Sequence, residues 1–192
     1  ERHRERHSQK WDLLMEYLRK MKGHTQSPPR VSFREIAWSW LGSLLGIAAV
    51  GYLNDRFFEG TDLVLIIGSF GASAVLVFGA IKSPLAQPSN LIGGHVISAL
   101  IGVSAYKLLH PWMWLAAAVG VATAIAAMHA TKTLHPPGGA TALIAVIGGA
   151  KVHNLGYLYA LVPAAAGAVI LLVVALLVNN ISKTRRYPEF WF

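Results

Sequence analysis

Six apolar stretches, separated by short polar or proline-containing breaks, follow a polar N-terminal region. They cover approximately residues 33–53, 61–81, 90–109, 111–130, 138–150 and 155–179. Most are close to the ~20 apolar residues that an α-helix needs to cross a bilayer. The fifth has only thirteen residues, which at ~1.5 Å each extend about 20 Å against a hydrocarbon core of about 30 Å. The pattern predicts an all-α membrane protein with six membrane segments.

The composition agrees with this class. The chain is 54% hydrophobic and 14% charged, with a mean hydropathy of +0.47, a combination that soluble domains rarely have. It has no cysteine, which excludes disulfides and cysteine-ligated metals. The net charge of +8 comes mainly from the chain ends, as in the cytoplasmic flanks of membrane proteins. We therefore expect a lipid bilayer, and no nucleic acid, as a partner.

The distribution of lysine and arginine predicts the topology. With the N-terminus inside the cell, fourteen of these residues lie on the cytoplasmic side and three on the outer side. Because positive charge accumulates on the cytoplasmic side, this bias favours six crossings with both termini inside. The predicted domains are a basic cytoplasmic region at 1–32, a transmembrane domain at 33–181 and a basic, aromatic cytoplasmic tail at 182–192.

The N-terminal region contains an amphipathic pattern. Its apolar face consists of Trp11, Leu14, Met15, Leu18 and Met21. Arg19, Lys20 and Lys22 lie alongside. Such a helix is typical of binding to an anionic lipid surface. A solvated helix that docks on the protein itself is an equal alternative.

The stretch from Met128 to Leu143, MHATKTLHPPGGATAL, interrupts the apolar pattern. Pro136 and Pro137 lack a backbone donor and push their predecessors out of the helical region. Gly138 and Gly139 allow unusual backbone geometry and close approach. The stretch therefore predicts a helix that stops, an irregular crossing and a new helix.

An internal repeat relates the two halves of the transmembrane domain. Gly71–Leu76 reads GASAVL, and Gly139–Ile144 reads GATALI. Asn90-Leu91 and Asn154-Leu155 follow the two copies. Each copy lies in the middle of a three-segment unit, so the second unit would be inverted relative to the first. The predicted fold is two inverted three-segment repeats, with broken or half-helices at segments 2 and 5.

The two repeated motifs are candidates for an anion site. Half-helices that start at about Ala72 and Ala140 would direct free N–H groups at each other near mid-membrane, where helix N-termini bind anions. Ser73 and Thr141 would add hydroxyl donors. The alternative is plain helix packing through small residues.

The ionisable residues narrow the chemistry. No Asp or Glu lies in the middle of an apolar segment, whereas cation carriers usually place a carboxylate there. This favours an anion or a small neutral solute, and it leaves no catalytic set, metal cluster or cofactor site. His95, His129 and His135 are either substrate contacts or hydrogen-bonding groups between helices. Lys132 is either a substrate contact or a residue that simply lies in the cytoplasm. Gln87, Asn90, Asn179 and Asn180 are expected to satisfy backbone groups.

The predicted substrate site gathers the residues of these motifs. It consists of Ser69, Phe70, Gly71, Ala72, Ser73, His95, His129, Lys132, His135, Pro136, Pro137, Gly138, Gly139, Ala140 and Thr141. A further pattern, Gly42 with Gly46, predicts close helix packing, either within one chain or in a homo-oligomer.

The motifs resemble those of the HPP family of integral membrane proteins. The resemblance rests on GSFGASA (Gly68–Ala74), SPLAQPSNLIGGH (Ser83–His95), KTLHPPGGATAL (Lys132–Leu143) and NNISKTRRYPEFWF (Asn179–Phe192). It implies a small multi-spanning protein of a largely uncharacterised family in which plastid relatives are associated with nitrite transport. The compact chain favours the bacterial inner membrane, with the plastid envelope as the alternative.

Three functions are compatible with these observations. The first is a channel or transporter for a small monovalent anion, specifically nitrite. The second is a facilitator of a small neutral solute that uses the same small residues. The third is a membrane module without transport activity whose basic N-terminal region binds a partner. None of the three is an enzyme.

Overall fold

The computed structural model describes residues 11, 13–60 and 65–192, which form two compact units, 1–32 and 33–192. In the first unit, residues 13–20 are helical. The apolar side chains of the predicted amphipathic face are 43–62% exposed. The part of the prediction that concerns residues 1–10 and 12 lies outside the described residues. Lipid binding stays a prediction.

The described part of the second unit consists of helices joined by turns and short irregular stretches. Its helices are α1 (Phe33–Phe58), α2 (Ser69–Ala74), α3 (Pro88–Leu109), α4 (Met113–Ala130), α5 (Pro136–Ile147), α6 (Gly149–Leu155) and α7 (Ala166–Asn179). A π-helical turn, Val75–Gly79, extends α2, and a second, Leu161–Ala165, leads into α7. Shorter 3₁₀ turns lie at Pro84–Ala86 and Gly156–Ala160.

Four helical stretches of the described chain are long and apolar enough to cross a membrane. They are Phe33–Phe58, Pro88–Leu109, Met113–Ala130 and the combined stretch Gly149–Asn179. Two shorter apolar helices, Ser69–Gly79 and Pro136–Ile147, lie at predicted segments 2 and 5. The all-helical class and the short helices are confirmed. The arrangement of six segments in inverted repeats stays a prediction.

Polar side chains close several breaks between helices. The Asn54 side chain, near the end of α1, accepts hydrogen bonds from the backbone N–H groups of Leu65 (2.8 Å) and Ile66 (3.3 Å). The Ser83 hydroxyl accepts from the N–H of Leu85 at 3.2 Å. Pro88 occupies the first turn of α3, where its missing donor has no cost. These contacts fix the chain on both sides of α2.

Helix α3 forms the centre of the unit, with its most extensive contacts to α4 and α5. Glycines allow the close approach to α5. A Cβ atom on Gly102 would lie 2.5 Å from the Ala142 carbonyl oxygen, and one on Gly138 would lie 2.8 Å from the Gly94 carbonyl oxygen. Real side-chain atoms do not approach backbone atoms this closely, so both positions require glycine.

The glycine pair in α1 packs within the chain. A Cβ atom on Gly42 would lie 2.5 Å from the Phe78 ring, and one on Gly46 would lie 2.7 Å from the same ring. Phe78 is fully buried. The two glycines therefore form a groove for this aromatic side chain, which decides between the two interpretations that the sequence left open.

The C-terminal tail is attached to the helix ends. Arg185 donates from Nε to Glu35 Oε2 at 3.1 Å, and its Nη2 forms an ion pair with Glu35 Oε1 at 2.5 Å. Arg185 Nη1 also donates to Asn179 Oδ1 at 2.9 Å. The Tyr187 hydroxyl donates to the Ala86 carbonyl oxygen at 2.7 Å, and burial raises the pKa of this hydroxyl above its ordinary value. The tail thus joins α1, α7 and the start of α3.

Gly42→Ala should destabilise the fold because the added methyl group collides with the buried Phe78 ring. Overpacking of this kind costs about 1–3 kcal/mol. Gly51→Ala in the same helix is the matched control, since its Cβ would lie 3.9 Å from its nearest neighbour, Ile66. Thermal unfolding in detergent should show a lower Tm for Gly42→Ala alone. Equal Tm values would contradict the packing role of the groove.

The predicted topology can be tested with single cysteines, since the chain has none of its own. Glu59, Lys82, Lys151 and Lys183 are all exposed. Cysteine at Glu59 or Lys151 should react with an impermeant thiol reagent applied from outside. Cysteine at Lys82 or Lys183 should react only after the membrane is opened. If the cysteines at Lys151 and at Lys82 react from the same side of the membrane, the six-crossing arrangement is excluded.

Candidate functional site

A buried polar cluster lies where α2, α3 and α5 meet. The side chains of Ser73, His95, His135 and Thr141 are completely buried, and Ser69 is 1% exposed. Burial of polar groups is unfavourable unless each finds a hydrogen-bond partner. In residues 11, 13–60 and 65–192, every buried side-chain nitrogen and oxygen atom has such a partner. The cluster is therefore an ordered network.

One hydroxyl group joins the two imidazole rings. Ser73 Oγ lies 2.7 Å from His95 Nε2 and 2.9 Å from His135 Nε2. The other nitrogen of His95, Nδ1, lies 2.7 Å from Thr141 Oγ1. The rings of His95 and His135 have their centroids 5.1 Å apart in an edge-to-face arrangement. The two histidines are thus connected through Ser73 without direct contact between their nitrogens.

Both ends of the network lead to backbone carbonyl groups. His135 Nδ1 is 2.8 Å from the Leu85 carbonyl oxygen. Because a carbonyl oxygen only accepts, this nitrogen carries a proton and donates it. At the other end, Thr141 Oγ1 donates to Ser69 Oγ at 2.9 Å and lies within reach of the Pro137 carbonyl oxygen at 3.2 Å.

Aromatic side chains close the sides of the cluster. The Phe70 ring packs edge-to-face on His95 with centroids 5.1 Å apart. The Tyr159 hydroxyl, which is buried, donates to the Thr141 carbonyl oxygen at 3.2 Å. These contacts exclude bulk water from the imidazole rings in this conformation.

The spacing of the motif residues explains how the cluster forms. Ser69 and Ser73 are four residues apart and therefore lie on one face of α2. Ser69 contacts Thr141 in the second turn of α5, whereas Ser73 contacts His135 just before α5. The first turns of the two short helices therefore overlap side by side in opposite directions.

The predicted helix starts at Ala72 and Ala140 are wrong. The helices begin at Ser69 and Pro136. A proline is favourable in the first helical turn, where no donor is needed, so Pro136-Pro137 opens α5 and does not precede it. In the structure Ala72 is exposed and Ala140 is half-buried.

The free N–H groups that were expected at these starts are mostly absent or occupied. Pro136 and Pro137 have no N–H group, and Gly138 N donates to the His135 carbonyl oxygen at 2.7 Å. In α2, Phe70 N donates to Ile67 O and Gly71 N to Gly68 O. The donors of this site are therefore side chains.

The structure divides the predicted site residues into two groups. Those in or against the cluster are Ser69, Phe70, Ser73, His95, His135, Pro137, Gly138 and Thr141. Those outside it are Gly71, Ala72, His129, Lys132 and Pro136, which are exposed, and Gly139 and Ala140, which are half-buried. Lys132 lies in the turn after α4 with a left-handed φ of 57°.

Sequence reasoning missed the Leu85 carbonyl and Tyr159, because no local pattern marks a group that acts through distant packing. The predicted role of the amides is confirmed. Gln87, Asn90 and Asn179 each donate to backbone carbonyl oxygens, those of Ile81, Leu134 and Val77 respectively. Among the described residues, no group of three or more His, Cys, Asp or Glu is placed to hold a metal ion.

Comparison with known proteins places this chain among membrane proteins. The profile of the family described as HPP, transmembrane region, matches residues 28–188. Two curated relatives from Dictyostelium discoideum, both named only as transmembrane proteins, are 45% identical over 182 residues and 41% identical over 184 residues. Each match covers 93% of this chain, but only 58% and 64% of the relatives' own lengths. No solved structure matches the chain.

Thr141→Val should destabilise the protein because it leaves His95 Nδ1 and Ser69 Oγ without their shared partner at nearly unchanged volume. An unpaired buried polar group costs about 1–3 kcal/mol. Thr141→Ser keeps the hydroxyl and is the control. Thermal unfolding should show a marked decrease of Tm for the valine variant and a small one for the serine variant. A larger decrease for serine would indicate that the methyl group, and not the hydroxyl, matters.

Proposed function

Since the chain belongs to the HPP family of transmembrane proteins, we propose that it is a membrane channel or transporter for a small monovalent anion, specifically nitrite. The observation that carries the proposal is the buried cluster of hydroxyl and imidazole groups between two short helices. Such groups donate hydrogen bonds to an anion, and no carboxylate lies in the middle of an apolar segment to repel it.

The two short helices support a pathway at this position. Helices too short to cross a bilayer expose their ends within it, and transporters commonly build substrate sites at such ends. Helix α5 has twelve residues, and the positive end of its dipole lies beside His135 and Ser73. An anion at the cluster would gain from this dipole as well as from the side-chain donors.

A small neutral solute is the second candidate. The polar atoms of the cluster are all paired without any charged partner, so the site needs no ion for its stability. A neutral solute with both donors and acceptors would exchange hydrogen bonds with the same hydroxyl and imidazole groups. The observation that favours the anion over this alternative is the absence of acidic residues from the middle of the apolar segments.

The wider assignment belongs to the same proposal. It includes a location in the bacterial inner membrane or, alternatively, the plastid envelope, with both termini in the cytoplasm. Contact of the basic N-terminal helix with anionic lipids and assembly into a homo-oligomer are part of it too. The chain spans about 60% of the length of the curated relatives, so the activity of a longer protein is also a proposal.

Purified protein in proteoliposomes should take up nitrite in preference to sulfate. Protein-free liposomes are the control, because nitrous acid itself leaks through lipid. Lys132→Asn should slow the uptake at low ionic strength and have little effect at high ionic strength, since the lysine raises the local anion concentration and salt screens it. Asparagine tolerates the left-handed backbone of this turn. Lys183→Asn, in the exposed tail, is the matched control.

Two outcomes would contradict the proposal. Uptake of an uncharged solute that anions do not inhibit would favour the neutral pathway. No uptake of any solute by folded protein would leave a membrane module without transport activity. A decrease for Lys132→Asn that is independent of salt would show that this lysine acts through structure and not through its charge.

A further inference from the structure

The network between Leu85 and Pro137 contains fewer protons than hydrogen bonds. Its four side chains, His135, Ser73, His95 and Thr141, make three contacts with one another and two with the terminal carbonyl groups, which gives five hydrogen bonds. Each bond needs one proton, but four neutral side chains of these types supply only one each. The longer contact of Ser73 Oγ with the Ser69 carbonyl at 3.3 Å adds a further demand. The neutral network is therefore short of at least one proton.

The structure offers two ways to remove this shortage. In one, the Ser69 hydroxyl turns to donate to Thr141, which then donates to His95, and the contact with the Pro137 carbonyl is given up. In the other, one imidazole binds an additional proton, and Thr141 donates outward to Ser69 or Pro137. The bond between Thr141 and His95 reverses its direction between the two states. The two bonds of Ser73 reverse as well when the added proton is on His135, and no side chain has to move far.

We propose that the His95–His135 pair binds one proton together with each transported anion, so that the protein moves the two as a neutral pair. This inference rests on the proposed anion transport and specifies its coupling. The added proton comes from water on one side, resides on an imidazole nitrogen and returns to water on the other side. No covalent bond to the anion forms or breaks.

Ser73 allows either ring to hold the proton. When His135 holds it, His135 Nε2 donates to Ser73 Oγ, and the Ser73 hydroxyl donates to His95 Nε2. When His95 holds it, both bonds reverse, and the outer bonds to Leu85 and Thr141 keep their direction. A concerted transfer through one hydroxyl therefore carries the proton between rings whose Nε2 atoms lie 2.7 and 2.9 Å from Ser73 Oγ.

Charge balance links this proton to an anion. A cation in an apolar interior is costly unless an opposite charge accompanies it. The elements around the pair contain no carboxylate. Among α2, α3, α4, α5 and the 84–86 turn, the charged or titratable residues besides the pair are Tyr106 and Lys107 in the last turn of α3 and His129 in the last turn of α4. In the described turns that join these elements, the titratable residues besides the pair are Lys82, His110 and Lys132, which are exposed.

The remaining titratable neighbours supply no negative charge. Tyr159 donates its hydroxyl proton to the Thr141 carbonyl, and Tyr187 donates to the Ala86 carbonyl. Glu35, at the start of α1, is paired with Arg185. The counter-charge for a protonated histidine pair therefore has to come from a bound ligand, and a monovalent anion neutralises it.

The test is uptake of nitrite into proteoliposomes that contain a pH-sensitive dye, with the membrane potential set by potassium and valinomycin. We expect a pH gradient, alkaline inside, to accelerate uptake well beyond the rate in protein-free liposomes. One proton should enter with each nitrite. A potential of either sign should change the initial rate little, since a neutral pair carries no net charge. This measurement on the unaltered protein requires no variant.

His135→Asn provides the matched change. Asparagine retains an N–H donor toward the Leu85 carbonyl but has no group that binds a proton at neutral pH. Any uptake that remains should lose its dependence on the pH gradient and become sensitive to the potential. His24→Asn, which makes the same change at an exposed histidine outside the network, should keep the wild-type coupling. Coupling that is unchanged in His135→Asn would overturn the inference.

Other outcomes separate this inference from the function on which it rests. Nitrite uptake that follows the potential and ignores the pH gradient would overturn proton coupling and leave anion transport intact. Absence of uptake under every gradient by folded protein would overturn both. Uptake with one proton per anion supports both.

Discussion

A polar group inside an apolar protein has to be paired, and this requirement shapes each break in the helices of this chain. Where α2 and α5 begin, backbone groups lose their helical partners. Side chains replace those partners: Asn54 accepts from Leu65 and Ile66, and Asn90 donates to the Leu134 carbonyl. The histidine network meets the same requirement at the centre of the unit. The site is therefore continuous with the contacts that hold the short helices in place.

Close packing makes this arrangement possible. Helix α5 and the residues just before it approach α3 only because Gly94, Gly102 and Gly138 leave no side chain between the backbones. On the opposite side, the groove at Gly42 and Gly46 holds Phe78, which follows α2 directly. Small residues thus bring polar groups within hydrogen-bond distance of one another between helices that are otherwise mostly apolar. Helix packing and site formation are two results of the same glycine positions.

The sequence predicts the parts of the structure that depend on local patterns. The two prolines mark the break before α5, and the apolar stretches match the long helices closely. The motif residues Ser73 and Thr141 both reach the buried cluster with His95. The pair of Arg185 with Glu35, separated by 150 residues, has no local signature, and neither does the Leu85 carbonyl. His129 and Lys132 belong to the same motif but lie outside the cluster. His129 is on an exposed face of α4, and Lys132 is in the exposed turn that follows this helix.

The same two prolines explain why the site is built from side chains. At α5 they remove the backbone donors that a helix start would otherwise offer an anion, and the next donor, on Gly138, is already bonded to His135. A backbone N–H group always carries one proton, and its charge does not change. A hydroxyl group can rotate and donate its proton in different directions, and a neutral imidazole can carry its proton on either nitrogen. Imidazole can also bind a second proton. The helix start that was expected to bind an anion through its backbone instead follows an imidazole group, whose charge depends on whether it has bound a second proton.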